Sequence, residues 1–403
     1  MHSSNWICCQ IGAREHYAVA RALNRQRLLK RLVTDAWVQP GSLWSRFSQR
    51  LSERFHPDLT STPVSAWNLR SVVNEIRSKL ARRSGWERTM LRNQWFQRMV
   101  VGTLTKTSLS LEGSKPVVFS YSYSALEQFR WAKRQGFRTV LGQIDGGVED
   151  ERLIERLNGR NLTPLDKWTN APARYWKDWR EECELADRII VNSEWAQCLL
   201  SAAGVPPGRI RIVPLAYTPP VDTTNFVRTY PDSFSRLRPL RVLFLGQVSR
   251  RKGVYELLEA AAMMEFDPVE FLIVGPNLMH AVPSRSPRSN VRWVGSVPRA
   301  AAADWYRQAD VFLFPSHSDG FGLTQLEART WRLPIIASRF CGNVVTDGRD
   351  GVLLKEVTGA AIFDAIRPFL CHPKKLSEMS RASLFHDDDP LATLGSALVD
   401  AVC

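Results

Sequence analysis

Short apolar runs alternate with helical patterns through the second half of the chain. Val269–Val274 and Val311–Phe314 are runs of large apolar residues interrupted only by Glu270, and a Gly or a Pro follows each of them. Other segments, such as Val254–Met264, carry apolar residues at the spacing of one helix face. Because strands buried on both faces read as continuous apolar runs, this alternation predicts a parallel sheet covered by helices.

The first half repeats the alternation less regularly, so we predict an α/β chain with two doubly wound parallel sheets facing a central cleft. The predicted strands are Trp6–Cys9, Leu32–Thr34, Pro116–Ser120, Arg138–Ile144, Arg188–Asn192, Arg211–Val213, Arg241–Leu245, Val269–Val274, Val291–Val294, Val311–Phe314, Pro334–Ala337 and Val352–Leu354. The predicted helices include Arg14–Leu29, Val254–Met264, Ala301–Gln308 and Leu323–Trp331.

A proline-rich stretch separates the two halves. Tyr217–Pro239 holds four prolines, which interrupt regular elements and are typical of a linker. We therefore expect the following units: a first domain over residues 1–217 with a helical insertion at about 43–110, a linker over 218–239, a second domain over 240–385, and a terminal segment over 386–403. Ligands bind at the carboxyl ends of the strands in such sheets, so the cleft is the expected site.

The insertion carries a basic amphipathic pattern. Large apolar residues at helical spacing have arginines at four-residue steps beside them: Trp44, Phe47, Leu51 and Phe55, with Arg46, Arg50 and Arg54. Ser71–Val101 continues with basic helical sequence and the aromatic residues Trp86, Trp95 and Phe96. One interpretation is docking on an anionic membrane surface with aromatic side chains at the interface. The other is helices packed on the domain with their basic face in water.

Positive charge is concentrated in the same region. The net charge is +14, and residues 1–110 hold eighteen Lys and Arg against six Asp and Glu. Such a basic half indicates an anionic partner, either phospholipid, nucleic acid or a phosphorylated substrate, or else a solvated basic surface. The sequence contains no recognised nucleic-acid-binding motif, so nucleic acid is not expected as a partner.

The remaining composition is that of a globular protein. No apolar run approaches the roughly 20 residues of a membrane-spanning helix, and the N-terminus lacks the basic start and apolar stretch of a secretory signal. Seven cysteines are scattered without a Cys-x-x-Cys pair, which favours free thiols in a reducing compartment over a zinc site. We expect a cytoplasmic protein, peripheral to the cytoplasmic face of the membrane if the insertion binds it.

The most informative stretch is the loop and helix start at residues 314–327. Asp319 lies in the loop after a predicted strand, two glycines allow a tight backbone, and a helix begins near Leu323 with Glu327 one turn inside it. The free amides at that helix start suit a phosphate, which would repel a carboxylate. Asp319 and Glu327 must therefore contact something else, and vicinal sugar hydroxyls are their natural donors. The combination indicates a nucleotide-sugar pocket rather than an ordinary loop with a capping Asp.

A second loop carries the positive charge that such a pocket needs. Arg250, Arg251 and Lys252 follow a turn at Gly246, and Gly253 precedes the next predicted helix. Three cations at the end of a strand can hold a diphosphate and stabilise it as a leaving group. Taken alone, this loop would equally suit a solvated basic turn.

Four segments of the second half occur in an order seen in a known family. The segments are Leu245–Val254, Val291–Val297, Ser318–Glu327 and Ile335–Gly351. In that order they resemble the diphosphate loop, the base-binding turn, the E-x7-E element and the following strand and turn of glycosyltransferase family 4. Those enzymes are retaining and have the GT-B fold of two Rossmann-like domains. The resemblance covers about residues 240–355, and the first half matches more loosely.

The resemblance implies a role for each matching position. Asp319 would contact the donor sugar, Glu327 would bind the ribose hydroxyls, and Lys252 would hold the diphosphate, with Asp319, Lys252 and Arg251 carrying catalysis. The other implied donor-binding positions are Gln247, Arg250, Gly320, Phe321, Gly322, Leu323, Gly295, Ser296 and Val297. Gly12 would let its loop approach the donor diphosphate or the acceptor. Residues 386–403 would pack back on the first domain, as the family's terminal helix does.

Three positions differ from the family pattern. Asp319 stands where the family usually has Glu, and Gln247 stands where it often has Arg, so Arg250 or Arg251 would supply that charge. The first domain has Leu141–Asp145 where many members carry a histidine near the cleft. Asp145 either faces the acceptor or caps the next turn.

The sequence therefore predicts a retaining glycosyltransferase that moves a sugar from a nucleotide-diphosphate sugar to the hydroxyl of a glycan or lipid-linked acceptor. The departing phosphate oxygen would take the acceptor proton, with no cofactor and, following the family, no metal. One alternative is a degenerate member that binds nucleotide sugar or glycan without transfer. Another is a nucleotide-sugar epimerase, which would need further acids and a histidine in the cleft.

Overall fold

The computed structural model describes residues 5–42, 51, 53–107, 115–159, 169–279, 289–383 and 389–402. Their strands form two sheets, one from each half of the chain, and all the paired strands are parallel. The predicted α/β class with two doubly wound parallel sheets is confirmed. No helix within the described residues is long and apolar enough to cross a membrane.

The first sheet contains the strands β1 (Trp6–Gln10), β2 (Leu29–Thr34), β3 (Val64–Ser65), β4 (Val117–Tyr121), β5 (Arg138–Gly142), β6 (Arg188–Val191) and β7 (Ile210–Ile212). Its order is β3-β2-β1-β4-β5-β6-β7. The helices of this half are α1 (Ala18–Arg25), α2 (Asn68–Leu80), α3 (Gly85–Thr107), α4 (Leu126–Arg134), α5 (Val148–Asn158), α6 (Ala173–Leu185) and α7 (Glu194–Ala202). The strand order reverses between β1 and β4, which is where ligands bind in such sheets.

The second sheet contains the strands β8 (Leu240–Leu245), β9 (Val269–Val274), β10 (Val291–Gly295), β11 (Val311–Phe314), β12 (Ile335–Ser338) and β13 (Gly351–Leu354). Its order is β10-β9-β8-β11-β12-β13, with the reversal between β8 and β11. The remaining helices are α8 (Val254–Met263), α9 (Ala302–Gln308), α10 (Leu323–Thr330), α11 (Gly359–Cys371), α12 (Lys374–Ala382) and α13 (Pro390–Val402).

The last helix packs against the first sheet rather than the second. Leu391, Leu394 and Leu398 of α13 are buried in the same apolar cluster as Ala22 and Leu23 of α1. The proline-rich stretch between the halves also packs closely, because Phe226 lies edge-on to Trp331 with 5.2 Å between ring centres. The chain therefore passes between the two halves twice.

One predicted helix is wrong at both of its ends. The helix predicted over Arg14–Leu29 is α1, which begins only at Ala18, and Leu29 already belongs to β2. Glu15, His16 and Tyr17 adopt left-handed backbone with φ of 50°, 54° and 60°. Non-glycine residues adopt this region at a cost, so three in a row indicate that the surrounding structure holds them there.

Only the end of the amphipathic helix predicted at the start of the insertion falls on described residues. Trp44, Phe47, Arg46 and Arg50 lie outside the described residues, and Arg54 and Phe55 do not lie in a helix. Phe55 packs instead on Trp37, with 5.2 Å between ring centres. Arg54 points into the cleft described below.

The aromatic residues of the following helical segment pack on the domain. Phe96 is fully buried in the core of the first sheet, and Trp95 lies edge-on to Trp67. The indole N–H of Trp86 donates to the Thr169 carbonyl at 2.7 Å. For these three aromatic residues the contacts favour the interpretation of helices packed on the domain.

Candidate functional site

A cleft of about 730 Å³ opens between the two sheets at the carboxyl ends of their strands. The predicted site residues that line it are Asp145, Gln247, Arg251, Lys252, Asp319, Gly320, Phe321, Gly322 and Leu323. The predicted site residues outside its lining are Gly12, Arg250, Gly295, Ser296, Val297 and Glu327. The structure therefore brings the loop that carries Arg251 and Lys252 together with the start of α10 in one wall.

An ion pair joins these two elements. The Lys252 ammonium contacts the Asp319 carboxylate, and Arg251 Nη1 lies 3.8 Å from Asp319 Oδ2. Arg251 also donates to the Ser318 carbonyl at 2.6 Å, which fixes its guanidinium beside the loop. Two cations and one carboxylate therefore share this wall, and it carries an excess of positive charge.

Two glycines make this arrangement possible. Gly253 has a φ of 71°, and a Cβ there would lie 1.9 Å from the Pro315 carbonyl oxygen. Gly322 has a φ of 88°, and a Cβ there would lie 2.4 Å from the Phe314 ring. Since only glycine adopts left-handed backbone at such close approach without strain, both loops can lie directly against β11 and its following loop.

The start of α10 has no side-chain cap. Gly322 occupies the capping position, where it can offer no side-chain acceptor. Asp319 Oδ1 instead accepts from the Phe321 N–H at 3.2 Å, just before the helix. Leu323 and Thr324 line the cleft at this helix start, so the uncapped end faces the cavity and suits an anion.

Glu327 lies one turn further along α10, beside the cleft. Its carboxylate accepts from the Tyr306 hydroxyl at 2.7 Å. Burial raises the pKa of Glu327 above its ordinary value, although the Tyr306 hydrogen bond and Arg299 act in the opposite direction. The half-buried carboxylate is thus oriented by α9.

The other predicted donor residues lie around the second sheet. Val297 packs against the apolar cluster that contains Tyr306, and Gly295 ends β10 with a φ of 78°. The carbonyl of Gly295 accepts from the Gly275 N–H at 2.8 Å. The Arg250 guanidinium lies 5.0 Å from the ring centre of Tyr255, on the side of α8.

Asp145 on the first sheet both lines the cleft and orders the turn before α5. Its Oδ1 accepts from the Tyr123 hydroxyl, from Gln143 Nε2 at 3.0 Å and from the Gly147 N–H at 3.0 Å. Burial raises the pKa of Asp145, and the nearby Asp150 adds to that effect. The contact with the Gly147 N–H fits the interpretation that Asp145 caps this turn, and a role toward an acceptor stays a prediction.

Gly12 lies beneath an arginine rather than in the cavity wall. Its N–H donates to Asp35 Oδ1 at 2.8 Å, and Arg54 Nη1 lies 3.0 Å from the same oxygen. A Cβ on Gly12 would lie 2.4 Å from Arg54 Nη1. The glycine thus allows Arg54 to approach the loop after β1.

The loop that carries Asp319 is held against the first sheet. Ser193 Oγ donates to the Gly320 carbonyl at 2.7 Å, and Trp195 Nε1 donates to Ser318 Oγ at 2.8 Å. Ser318 in turn hydrogen-bonds to the buried Asp150 carboxylate at the start of α5. This contact between the halves was not predicted from the sequence.

Sequence reasoning also missed several charged residues of the cleft. Arg14, Glu15, Arg54 and Arg92 line it from the first half of the chain. The only signal that pointed to them was the excess of basic residues before position 110, which does not indicate where each side chain lies.

Comparisons with known proteins agree with this geometry. Residues 239–372 match the family model described as Glycosyl transferases group 1. The chain is 30% identical over 227 residues to D-inositol 3-phosphate glycosyltransferase 2 of Catenulispora acidiphila. It is 31% identical over 229 residues to D-inositol 3-phosphate glycosyltransferase of Kribbella flavida. Each match covers 50% of this chain and 52% or 53% of the relative, so the chain spans about half the length of the curated relatives it matches.

Two solved structures share the whole architecture. HepE of Anabaena in complex with UDP has a TM-score of 0.61 at 15% identity, over 98% of both chains. The catalytic domain of Starch Synthase IV from Arabidopsis thaliana, bound to ADP and acarbose, has a TM-score of 0.66 at 12% identity over 99% of both chains. At these identities the likeness is one of fold, and it supports the GT-B arrangement of two sheets around a cleft.

Proposed function

We propose that this chain is a retaining glycosyltransferase that transfers a sugar from a nucleotide-diphosphate sugar to an acceptor hydroxyl. The observation that carries the proposal is the convergence of Lys252, Arg251 and the uncapped start of α10 on one wall, with Asp319 among them. This wall lies in the segment that matches the Glycosyl transferases group 1 model, and the matched relatives are named as glycosyltransferases.

In the proposed reaction the diphosphate lies against Lys252, Arg251 and the first amides of α10. The bond between the sugar and the diphosphate breaks, and the acceptor oxygen attacks the same face of the sugar. The departing phosphate oxygen takes the acceptor proton, so no separate base is needed. Positioning and fixed positive charge supply most of the rate, and the two cations perform the neutralisation that a metal would otherwise provide.

Asp319 has two successive partners in this proposal. Without ligand its carboxylate pairs with Lys252. A bound diphosphate gives Lys252 a second anion to contact, and Asp319 then accepts hydrogen bonds from donor-sugar hydroxyls. At the other end of the donor, Glu327 would accept from the ribose, and Gly295, Ser296 and Val297 would lie against the base.

The experiment that tests the function has two stages. A thermal-shift panel of UDP-, GDP- and ADP-sugars without added metal should give a selective rise with one donor. The selected donor is then incubated with protein, with and without acceptor glycans, and sugar release is measured. Binding without turnover would indicate a degenerate binder, and a changed sugar without acceptor would indicate an epimerase.

We also propose that the first domain binds a glycan or lipid-linked acceptor and that α2 docks on an anionic membrane. Leu69, Ile76 and Leu80 lie at helical spacing on α2 and are 61%, 50% and 79% exposed. Arg70, Arg77 and Lys79 are interspersed with them. An apolar stripe flanked by cations is typical of a helix that lies in a lipid headgroup layer.

Vesicle flotation tests this membrane proposal. The protein should float with vesicles that contain phosphatidylglycerol and remain behind with vesicles of phosphatidylcholine alone. Ile76→Ser with Leu80→Ser should abolish flotation. Leu237→Ser, at a residue of the second half that is 98% exposed, is the matched control and should float normally. Equal flotation of all three proteins would contradict docking through α2.

A further inference from the structure

Three arginines line the part of the cleft that belongs to the first sheet. Arg14 lies in the loop after β1, Arg54 lies in the segment before the 3₁₀ helix Pro57–Leu59, and Arg92 lies on α3. They come from separate parts of the chain, so the fold and not a local sequence motif brings them together. None of them belongs to the loop that carries Lys252.

Two of these arginines are fixed in place. Arg54 Nη1 lies 3.0 Å from Asp35 Oδ1, and Asp35 is itself anchored by the Gly12 N–H. The Arg14 guanidinium lies over the Tyr121 ring, 5.3 Å from its centre. Arg14 also directly precedes the three left-handed residues of this loop, a strained backbone of the kind that is retained at functional sites.

The positive charge here exceeds what the surrounding acids balance. Asp35 pairs with Arg54, whereas Arg92 has no ion pair or hydrogen bond among the described residues. Desolvation lowers the pKa of Arg92, and repulsion from Arg54 and Arg14 adds to it, although Asp35 and Glu75 oppose the shift. Clustered guanidinium groups with one carboxylate partner between them are stabilised by a further anion.

Among the described residues, two acids of the same wall form no ion pair with Arg54 or Arg92. Glu15 accepts from the Tyr121 hydroxyl at 2.9 Å, and burial raises its pKa, although the nearby Arg14 opposes that shift. Asp145 has three donors on one oxygen and a raised pKa. Neither carboxylate forms an ion pair with Arg92 or Arg54 among the described side chains.

We infer that Arg14, Arg54 and Arg92 form an anion subsite for the acceptor, so that the acceptor carries a phosphate ester close to the hydroxyl that receives the sugar. This inference rests on the proposed function, because it takes the first-sheet wall as the acceptor side. Guanidinium groups bind phosphate oxygens in pairs, which gives both charge and orientation. A neutral glycan would leave Arg92 without an ionic partner in the cleft.

Calorimetric titration of inorganic phosphate into protein saturated with the nucleoside diphosphate of the preferred donor tests the subsite. Saturation occupies the donor wall, and ionic strength is kept constant because salt screens such contacts. Phosphate should bind at one site, and Arg92→Gln should weaken it at least tenfold. Arg98 lies on the same helix and is exposed, as Arg92 is, but lies outside the cleft, so Arg98→Gln should leave the affinity unchanged. No phosphate binding, or equal binding by all three proteins, would overturn the inference.

A second arm separates the two sources of such a phosphate. Vesicles containing phosphatidic acid should bind less well to Arg92→Gln if the phosphate belongs to a lipid, and equally well if it belongs to a soluble ester. If the proposed function itself is wrong, no nucleotide sugar will bind, and this result differs from the loss of phosphate binding alone. Titration of phosphate into nucleotide-free protein, with Arg92→Gln against Arg98→Gln, would still report on the subsite.

Discussion

Glu327 illustrates how a single carboxylate is adjusted by its neighbours. The Tyr306 hydroxyl donates to it at 2.7 Å, and burial raises its pKa above the ordinary value. The ionised form is the one that can accept from two ribose hydroxyls. Binding of the ribose by Glu327 should therefore depend on pH, and burial moves the pH at which this binding is lost upward.

We predict that affinity for the nucleotide sugar is complete above the raised pKa of Glu327 and falls as the pH drops through it. Tyr306→Phe removes a contact that lowers this pKa, so the loss should then begin at a higher pH. Glu327→Gln should bind about tenfold more weakly at neutral pH and show no such loss. Calorimetry at a series of pH values measures these affinities. The ligand is an intact nucleotide sugar, because a free nucleoside diphosphate carries a terminal phosphate that itself titrates at about pH 6. Parallel pH profiles for all three proteins would contradict the ribose role.

We further predict that Lys252→Gln lowers kcat about 10²- to 10³-fold. The side chain lies where charge develops on the leaving diphosphate, and losing one such group has an effect of that size. Initial rates of donor consumption measure it. Lys355→Gln, at an exposed residue, is the control and should be unaffected. A Lys252→Gln protein with normal kcat would exclude a catalytic role for this cation.

At the same scale, the wall proposed for the donor could be predicted from the sequence, and the wall proposed for the acceptor could not. Asp319 and Lys252 each lie in a short contiguous motif next to a predicted strand, so local order was enough to find them. Arg54 and Arg92 have no such context. Their position depends on how residues before 110 fold over β1, which local periodicity does not encode.

At the scale of elements, α4 shows a helix start stabilised from a distance. Its capping position is Ala125, which has no side-chain acceptor. The buried Glu182 of α6 supplies one, accepting from the N–H groups of Tyr123, Ala125 and Leu126 at 2.6–3.1 Å. The carboxylate therefore ties α6 to the start of α4.

Glu182→Ala should lower the free energy of unfolding by about 3 kcal/mol or more, because it leaves three amide donors without their acceptor at about 1–3 kcal/mol each. Glu181→Gln on the same helix is the matched control. Glu181 pairs with the half-exposed Arg130, and such surface pairs contribute at most about 1 kcal/mol. Urea denaturation measures both changes, and equal losses would contradict the capping role.

The predicted strands and helices of the second half match the observed ones to within one residue for a physical reason. Val269–Val274 and Val311–Phe314 are strands over the predicted residues, since buried parallel strands are nearly continuous apolar runs. The helix start after β1 was misplaced because three left-handed residues there carry no glycine or proline to mark them. The two-residue strand β3 was missed because it is too short to show an alternation.

For the whole molecule, the approach of the two halves depends on Gly320. A Cβ there would lie 2.3 Å from the Ile144 carbonyl oxygen, and both partners are backbone. Neither loop can yield without disturbing its sheet. The contact also places Asp319 beside the first sheet, through the hydrogen bond between Ser193 and the Gly320 carbonyl.

We predict that Gly320→Ala separates the halves, which increases the radius of gyration and reduces kcat/KM at least tenfold. Small-angle X-ray scattering and initial rates measure these effects. Gly208→Ala is the control, because a Cβ there would meet no atom within 4 Å and the backbone at this position is ordinary. An unchanged radius together with normal activity for Gly320→Ala would show that the added Cβ is accommodated without separating the halves.

The position of α13 has a consequence for biosynthesis. Leu391, Leu394 and Leu398 cover apolar residues of α1, yet more than 360 residues separate the two helices, as the Gln26–Ser396 hydrogen bond illustrates. Translation proceeds at about 5–20 residues per second and domains begin folding from the N-terminus. The first sheet is thus assembled early but keeps an uncovered apolar face until α13 leaves the ribosome. A nascent chain stalled before residue 389 should consequently expose a surface that chaperones bind, and emergence of α13 should remove it.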